Sequence, residues 1–253
     1  MSDEGQPQSI VSFSRGDEPL NLLLLLDISG SMQKYIEEIA KTARSALAHL
    51  RPGDSVAIMV FAKTTAVHQD FSDNLAETAR QIGSAVEHHD VGITTQINTA
   101  VVDAARYMRE HADPAGRHAI LILTDNLSMS YQLTDGQVIR ELDKADTVFN
   151  AIVTGRAIQP KAPSPSMYPN PDFTPANVMH LAEQTGGEWV KVGHADATFN
   201  EMIERIRSRY MLVYHAPPSA PGTFRHISVT LAAEAKRRYP LADLRARSGY
   251  YAE

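Results

Sequence analysis

Three side chains that carry oxygen atoms alternate directly after the longest apolar run of the sequence. The run Leu22 to Leu26 is followed by Asp27, Ser29 and Ser31, with Gly30 between the two serines. In a turn that leaves a strand, alternate side chains can point to one place, and glycine permits a tight bend. A helix that begins after Ser31 would add backbone N–H groups at the same place. The segment is therefore a candidate binding loop.

Two further polar segments are expected beside this loop. Asp125 follows the apolar run Ala119 to Leu123, and Thr94 and Thr95 precede a helical pattern that begins at Ile97. Carboxylate and hydroxyl oxygens suit Mg²⁺, Mn²⁺ or Ca²⁺ better than Zn²⁺. Mg²⁺ commonly takes one or two protein carboxylates and completes its shell with water or partner oxygens. We therefore expect a divalent-cation site, with Mg²⁺ as the first choice.

The three segments can meet only if the apolar runs are neighbouring strands of one sheet. Leu20 to Leu26 is apolar along almost its whole length, which indicates a strand buried on both faces. Further apolar runs alternate with helical patterns along the chain up to about residue 209. This alternation predicts an α/β fold with a doubly wound, mostly parallel, Rossmann-like sheet flanked by helices. In such sheets, ligands bind beyond the carboxyl ends of the strands.

The chain divides into three predicted regions. Residues 1–19 form an amino-terminal β-like extension, residues 20–209 the α/β domain, and residues 210–253 a small antiparallel β addition packed on the same domain. Residues 155–173 contain five prolines, which predicts a long loop. Our hypothesis is that this loop borders the cation site and shapes partner choice; the alternative is an insertion without a role. Thr174-Pro175 predicts a helix start.

Composition excludes several classes of function. The net charge is −6, from 24 basic and 30 acidic residues, which argues against broad nucleic-acid binding. No dense basic run stands out, and the short run Lys236-Arg237-Arg238 is expected to be a solvated turn. The absence of cysteine excludes disulfides, thiolate metal sites and cysteine nucleophiles. No apolar stretch reaches the roughly 18 residues that span a bilayer, and the first residues lack a signal-peptide pattern.

The polar segments resemble a known motif. Asp27-x-Ser29-x-Ser31, followed by a Thr and by Thr124-Asp125, is similar to the metal-ion-dependent adhesion site of von Willebrand factor type A (VWA) domains. The resemblance implies a VWA fold and a protein-binding or adhesion module without catalysis. It also implies that an Asp or Glu of a protein partner completes the shell of the cation. The implied metal ligands are Asp27, Ser29, Ser31, Thr95 and Asp125.

Thr95 is preferred to Thr94 because Ile97 and Ala100 follow it at the family's usual spacing. Two departures concern the loops. Ile93-Thr94 stands where the family often has Gly-Gly, and Asn126 stands where it often has Gly. Both departures could change loop geometry or metal affinity without removing a ligand.

The resemblance extends to both ends of the chain. Segments near the amino terminus and after Tyr210 are similar to a bacterial branch of VWA-related proteins, whose members are commonly exported. This similarity implies an extracytoplasmic or secreted location, with no membrane insertion of this chain and no nucleic-acid partner. The similar segments are Gln6 to Ile10, Tyr210 to Tyr214, Phe224 to Val229 and Arg245 to Tyr251.

Other interpretations of the same residues stay open. Asp27, Ser29 or Ser31 could simply cap a helix. The chain could be a structural scaffold with a vestigial metal site, or a metal-dependent hydrolase. A haloacid-dehalogenase-type phosphatase would need an Asp at position 29, and the segment is not a Gly-x-Ser-x-Gly elbow. His88-His89-Asp90 is a second candidate metal site, although a helix-end role is the simpler interpretation.

Overall fold

A computed structural model describes residues 1–88, 90–92, 94–128, 133–154, 157, 176–192 and 195–252. The proline-rich loop 155–173 lies outside the described residues except for Ala157, and so does the predicted helix start at Thr174-Pro175. Within the described residues the strands, in chain order, are β1 (Ser2–Asp3), β2 (Gln6–Pro7), β3 (Ile10–Arg15), β4 (Leu20–Asp27), β5 (Ser55–Phe61), β6 (Thr65–Ser72), β7 (Arg117–Thr124), β8 (Thr147–Thr154), β9 (Trp189–Val192), β10 (Tyr210–Tyr214), β11 (Phe224–Ser228) and β12 (Gly249–Tyr251).

Helices alternate with the strands of the central part of the chain. A 3₁₀ turn, Ala85–Glu87, follows the second of these helices. The helices in the described residues are α1 (Gln33–Leu47), α2 (Leu75–Ser84), α3 (Ile97–His111), α4 (Asp135–Lys144), α5 (Val178–Gln184), α6 (Ala195–Arg207) and α7 (Ala233–Arg238).

The central sheet has six strands in the order β6-β5-β4-β7-β8-β9. All neighbours are parallel except β6, which pairs antiparallel with β5 at the edge. Every residue of β4 is buried, because the strand lies at the centre of the sheet and helices cover both faces. The predicted doubly wound, mostly parallel α/β fold with a small antiparallel addition is confirmed.

Two apolar cores lie on the two faces of the sheet. Leu22, Leu24 and Leu26 point to one face, where they share a core with α1, α2 and α6. Leu23 and Leu25 point to the other face, where they share a core with α3, α4 and α5. Because successive side chains of a strand point to opposite faces, consecutive leucines of β4 lie in different cores. Both cores therefore hold β4 in position.

The two ends of the chain meet in small antiparallel sheets. One has the order β12-β11-β1-β2, and the other pairs β10 with β3. Asp3 is fully buried in the first of these sheets, where it binds the guanidinium of Arg225 and the hydroxyls of Tyr214 and Tyr250. The buried carboxylate thus joins residues that are more than 200 positions apart in sequence.

Three local expectations need correction or refinement. Lys236-Arg237-Arg238 lies in the short helix α7 rather than in a turn, and no residue of that helix is buried. Helix α5 begins at Val178 with Asn177 as its cap, because the Asn177 side chain accepts the N–H of His180. The third concerns Trp189, whose apolar sequence context predicts a core position. It is partly buried and packs against the core formed with α3, α4 and α5, and its indole N–H donates to Glu183.

Candidate metal centre

The first loop of the candidate site is a tight turn at the carboxyl end of β4. Asp27 is the last residue of that strand and is fully buried. The backbone N–H of Ser29 donates to Asp27 Oδ1 at 3.0 Å. Two backbone bonds hold the turn: Ile28 N–H donates to the Phe61 carbonyl at 3.0 Å, and Met32 N–H donates to the Ser29 carbonyl at 2.8 Å. The turn therefore has a fixed shape before α1 begins.

Ser31 joins this loop to the loop that follows β7. Its hydroxyl donates to Asp125 Oδ2 at 2.7 Å, and its oxygen lies 3.3 Å from the hydroxyl oxygen of Ser29. Asp125 is 94 residues away in sequence, but β7 is the parallel neighbour of β4. The structure thus brings together Asp27, Ser29, Ser31 and Asp125, as expected for strands whose carboxyl ends share one edge of the sheet.

Thr124 belongs to the same cluster, although it was not among the predicted ligands. Its hydroxyl donates to Asp27 Oδ2 at 2.7 Å and accepts the N–H of Asn126 at 3.1 Å. Both carboxylate oxygens of Asp27 are therefore hydrogen-bonded, one to Ser29 and one to Thr124. The sequence indicates this role in one respect: Thr124 is a polar residue of β7 that directly follows the apolar run Ala119 to Leu123.

Asn126 adopts a backbone conformation that explains one departure from the VWA pattern. Its φ is 60°, in the left-handed region that glycine adopts freely and asparagine tolerates better than most residues. Its side-chain oxygen accepts the N–H of Val178 at 3.4 Å, at the start of α5. Asparagine thus serves where the family often has glycine, and Leu127 N–H still donates to Asp125 Oδ1 at 3.1 Å.

Thr95 lies in the second loop, between the ends of two strands. It is 7% exposed, and its carbonyl accepts the hydroxyl of Ser128 at 3.2 Å. The next residue, Gln96, donates its N–H to the Ala62 carbonyl at 2.9 Å. These contacts fix the Thr95 backbone beside the loops that follow β5 and β7, and its hydroxyl stays a predicted ligand. Ile93, the other departure, lies outside the described residues.

Burial raises the pKa of Asp27 to about 6. The hydrogen bonds from Ser29 and Thr124 lower this pKa but do not cancel the effect of burial. The negative charge of Asp125 raises the pKa further. A divalent cation beside both carboxylates would reverse this balance, because its charge favours their ionised forms. The donor set, with its carboxylate and hydroxyl oxygens, fits a hard cation such as Mg²⁺.

No group of three or more His, Cys, Asp or Glu that could hold a metal occurs within the described ranges. A metal here would therefore depend on two carboxylates and on hydroxyl oxygens. At the second candidate site, His88 lies against His68 with ring centroids 6.0 Å apart. The middle residue of that motif, His89, lies outside the described residues.

The sequence and the fold are similar to those of known proteins. Residues 22–127 match the sequence model of the von Willebrand factor type A domain. That segment contains all five predicted ligands. No curated protein is similar to the chain in sequence. None of the described helices combines the length and apolar character needed to cross a membrane.

Three solved structures illustrate the likeness in fold. The aerotolerance-related membrane protein from Bacteroides fragilis is 14% identical, with a TM-score of 0.52 over 74% of this chain and 99% of that chain. BatB from Bacteroides thetaiotaomicron is 17% identical, with a TM-score of 0.56 over 74% of this chain and 97% of that one.

A von Willebrand factor type A protein from Catenulispora acidiphila is 15% identical, with a TM-score of 0.54 over 74% of this chain and 42% of that chain. At these identities the structural likeness establishes the fold alone. The sequence match identifies residues 22–127 as similar to a von Willebrand factor type A domain, and the fold of the chain is that of VWA-type structures.

Proposed function

We propose that the chain is a metal-dependent protein-binding module. In this proposal Asp27, Ser29, Ser31, Thr95 and Asp125 hold one divalent cation, Mg²⁺ first and Mn²⁺ or Ca²⁺ as alternatives. An Asp or Glu side chain of a protein partner completes the coordination shell. The cation would supply a positive charge that the partner's carboxylate can reach directly.

The observation that carries the proposal is the hydrogen bond between Ser31 and Asp125. It joins two loops that are remote in sequence and sets three oxygen-bearing side chains side by side. Asp27 lies beneath them and is fully buried. Its carboxylate accepts hydrogen bonds from the Ser29 N–H and the Thr124 hydroxyl, neither of which carries a charge. A buried carboxylate next to a second carboxylate is costly to ionise, and a bound cation offsets that cost.

The outer residues of the site are exposed, which leaves it accessible to a protein partner. Gly30 and Ser31 are exposed, whereas Asp27 is not. Leu127, which follows Asp125, is 52% exposed and adds an apolar side chain next to the candidate centre. An exposed cation position flanked by an apolar residue suits a protein surface that presents a carboxylate among apolar groups.

The geometry favours binding over hydrolysis. A phosphatase of the haloacid-dehalogenase type would use Asp27 as its nucleophile. Such a phosphatase also needs an Asp two residues after its nucleophile, and Ser29 occupies that position, where its backbone N–H donates to Asp27 Oδ1. A panel of phosphatase and esterase substrates with Mg²⁺ tests this point. Metal-dependent turnover that Asp27→Ala abolishes would establish the hydrolase instead.

We also propose an extracytoplasmic or secreted location for the chain. The likeness to an aerotolerance-related membrane protein supports a role at a membrane or beyond it. Fractionation of cells that produce the full natural protein, with detection by antibody, tests the location. Recovery in the cytoplasmic fraction alone would contradict it.

The metal step is tested by titration with Mn²⁺, which reports on binding by electron paramagnetic resonance. We expect one Mn²⁺ per wild-type chain and binding at least tenfold weaker for Ser31→Ala. Ser45→Ala is the matched control, because Ser45 is exposed on α1 and bonds only within its own helix. No Mn²⁺ binding by the wild type would leave the scaffold with a vestigial site as the better account.

The carboxylate step is tested on the same Mn²⁺-loaded protein. Water-proton relaxation reports the exchanging water molecules on bound Mn²⁺, and acetate serves as the smallest carboxylate ligand. We expect acetate to lower the relaxation rate by replacing water, whereas acetamide, which has no charge, leaves it unchanged. An acetate effect equal to that of acetamide would contradict an open coordination position.

A further inference from the structure

A cleft of about 1580 Å³ lies at the end of the sheet opposite the candidate metal centre. One wall contains Leu20 and Arg117, the first residues of β4 and β7, and the end of α6. The other wall is the carboxyl-terminal part of the chain, from Tyr210 to Ala252. None of the five predicted metal ligands lines the cleft. A ligand in this cleft therefore does not contact the predicted metal ligands.

The cleft is cationic in a chain of net charge −6. Seven Lys or Arg residues line it against four Asp or Glu residues. All four carboxylates already have cationic partners. Glu188 binds Arg205 at 2.5 Å and lies 3.9 Å from Arg245. Asp243 forms an ion pair with Arg245. Asp143 and Asp146 both form ion pairs with Arg247. The cleft thus carries more positive charge than its own carboxylates neutralise.

Four of the lining cations have no ion pair with these carboxylates. Lys144 binds Glu141 instead, and Arg140 lies over the ring of Tyr251, which leaves Arg117 and Arg209. Arg117 is mostly buried, its Nε has no hydrogen-bond partner, and its nearest carboxylate oxygen, on Glu18, is 4.0 Å away. Arg209 donates to the Gly186 carbonyl. Burial lowers the pKa of Arg209. The negative charge of Glu188 raises this pKa, and the positive charges of Arg117 and Arg245 lower it. Arg117 also donates to the Arg207 carbonyl at 3.0 Å, so both guanidinium groups bind backbone carbonyls and neither has a close carboxylate among the described residues. Each has five N–H donors, so an added anion would supply further acceptors.

The size and walls of the cleft point to a chain rather than a small molecule. Pockets for small ligands hold about 300–1,000 Å³, which is less than the volume here. Apolar and aromatic side chains such as Met202, Ile206 and Tyr250 line the cleft beside the guanidinium groups. We propose that the cleft binds a short acidic segment of a partner protein. Its carboxylates pair with Arg117 and Arg209, and its apolar side chains pack on Met202 and Ile206.

The probe is a fluorescent ten-residue peptide in which Glu alternates with Leu and Ser, added to the full chain in EDTA. Anisotropy is expected to show saturable binding that weakens as salt screens the charges. A peptide with Gln at every Glu position is expected to bind at least tenfold more weakly. Equal binding of the two peptides, or no saturable binding, would overturn the proposal.

Variants locate the binding site. Arg209→Gln and Arg117→Gln are each expected to weaken the acidic peptide at least tenfold. Arg44→Gln, an exposed arginine of α1, is expected to leave the affinity unchanged. Equal losses in all three variants would mean that the peptide binds to general surface charge, and the proposal would be wrong.

Hydrogen exchange of the wild-type protein gives a test that does not depend on variants that fold. Saturating peptide should slow exchange in β10 and in residues 244–252, which line the cleft, and leave residues 27–31 unchanged. Protection at residues 27–31 instead would place the peptide at the metal centre and overturn the assignment to the cleft.

Discussion

Asp27→Asn is expected to stabilise the metal-free protein at neutral and alkaline pH. The pKa of Asp27 rises from 3.8 to about 6 on folding, chiefly because the carboxyl is buried. One pKa unit corresponds to about 1.4 kcal/mol, so the ionised carboxylate costs about 3 kcal/mol of folding free energy. Asparagine has nearly the same shape and no charge. Its oxygen can accept the Ser29 N–H, and its amide can donate to the Thr124 hydroxyl.

The sign of the pH dependence follows from linkage. Between pH 3.8 and 6 the folded protein binds a proton at Asp27 that the unfolded chain has released, so stability falls as the pH rises. Below this window the carboxyl is neutral in both states and costs nothing. Above it the cost is fully present. The stability advantage of Asp27→Asn should therefore grow by about 2 kcal/mol between pH 4 and pH 8.

Urea unfolding in EDTA across this pH range measures the difference, because other titrating groups are common to both proteins. Asp73→Asn is the matched control, because it makes the same change at an exposed side chain. A difference between Asp27→Asn and wild type that stays constant with pH would refute the reasoning. So would a variant that is less stable than wild type at pH 8 in EDTA.

Three further perturbations test separate parts of the structure. Thr124→Val removes the hydroxyl that donates to Asp27 and should weaken Mn²⁺ binding about tenfold, by analogy with other groups that orient metal ligands; an unchanged affinity in the Mn²⁺ titration would contradict that role. Asn126→Ala should lose about 1–2 kcal/mol more stability than Asn126→Gly in urea unfolding, because φ is 60°; equal losses would count against a left-handed backbone there. Asp3→Ala should abolish hydrogen-exchange protection in β11 and β12 while β4 stays protected, since Arg225 and two tyrosine hydroxyls lose their common acceptor; unchanged protection would show that the sheet does not depend on Asp3.

The part of the site that the sequence predicted depends only on topology. Asp27 ends one strand and Asp125 directly follows another, and both strands are predicted to be buried and parallel. The carboxyl ends of neighbouring parallel strands share one edge of the sheet. Thr124 was missed because its hydroxyl could point to solvent or to Asp27, and only tertiary packing decides between them. The left-handed backbone of Asn126 could not be predicted for the same reason. The Asn126 side chain accepts the N–H of Val178 at the start of α5, and only tertiary packing brings these residues together.

Features built from residues far apart in sequence were not predictable from local pattern. Arg117 and Arg209 line one cleft because β7 and the chain after α6 meet there. Helix α7 was taken for a turn because it has six residues and buries none of them, so it leaves no apolar period in the sequence.

The central claim is that the three loops form a working metal site. Thermal unfolding of wild type and Asp27→Ala, first in EDTA and then with millimolar Mg²⁺ or Mn²⁺, tests it most directly. A cation at about 100 times its Kd stabilises the folded state by about 2.7 kcal/mol. For a domain of this size we expect a rise in Tm of about 5–10 °C in the wild type and none in Asp27→Ala. No shift in the wild type, or an equal shift in both proteins, would contradict the claim.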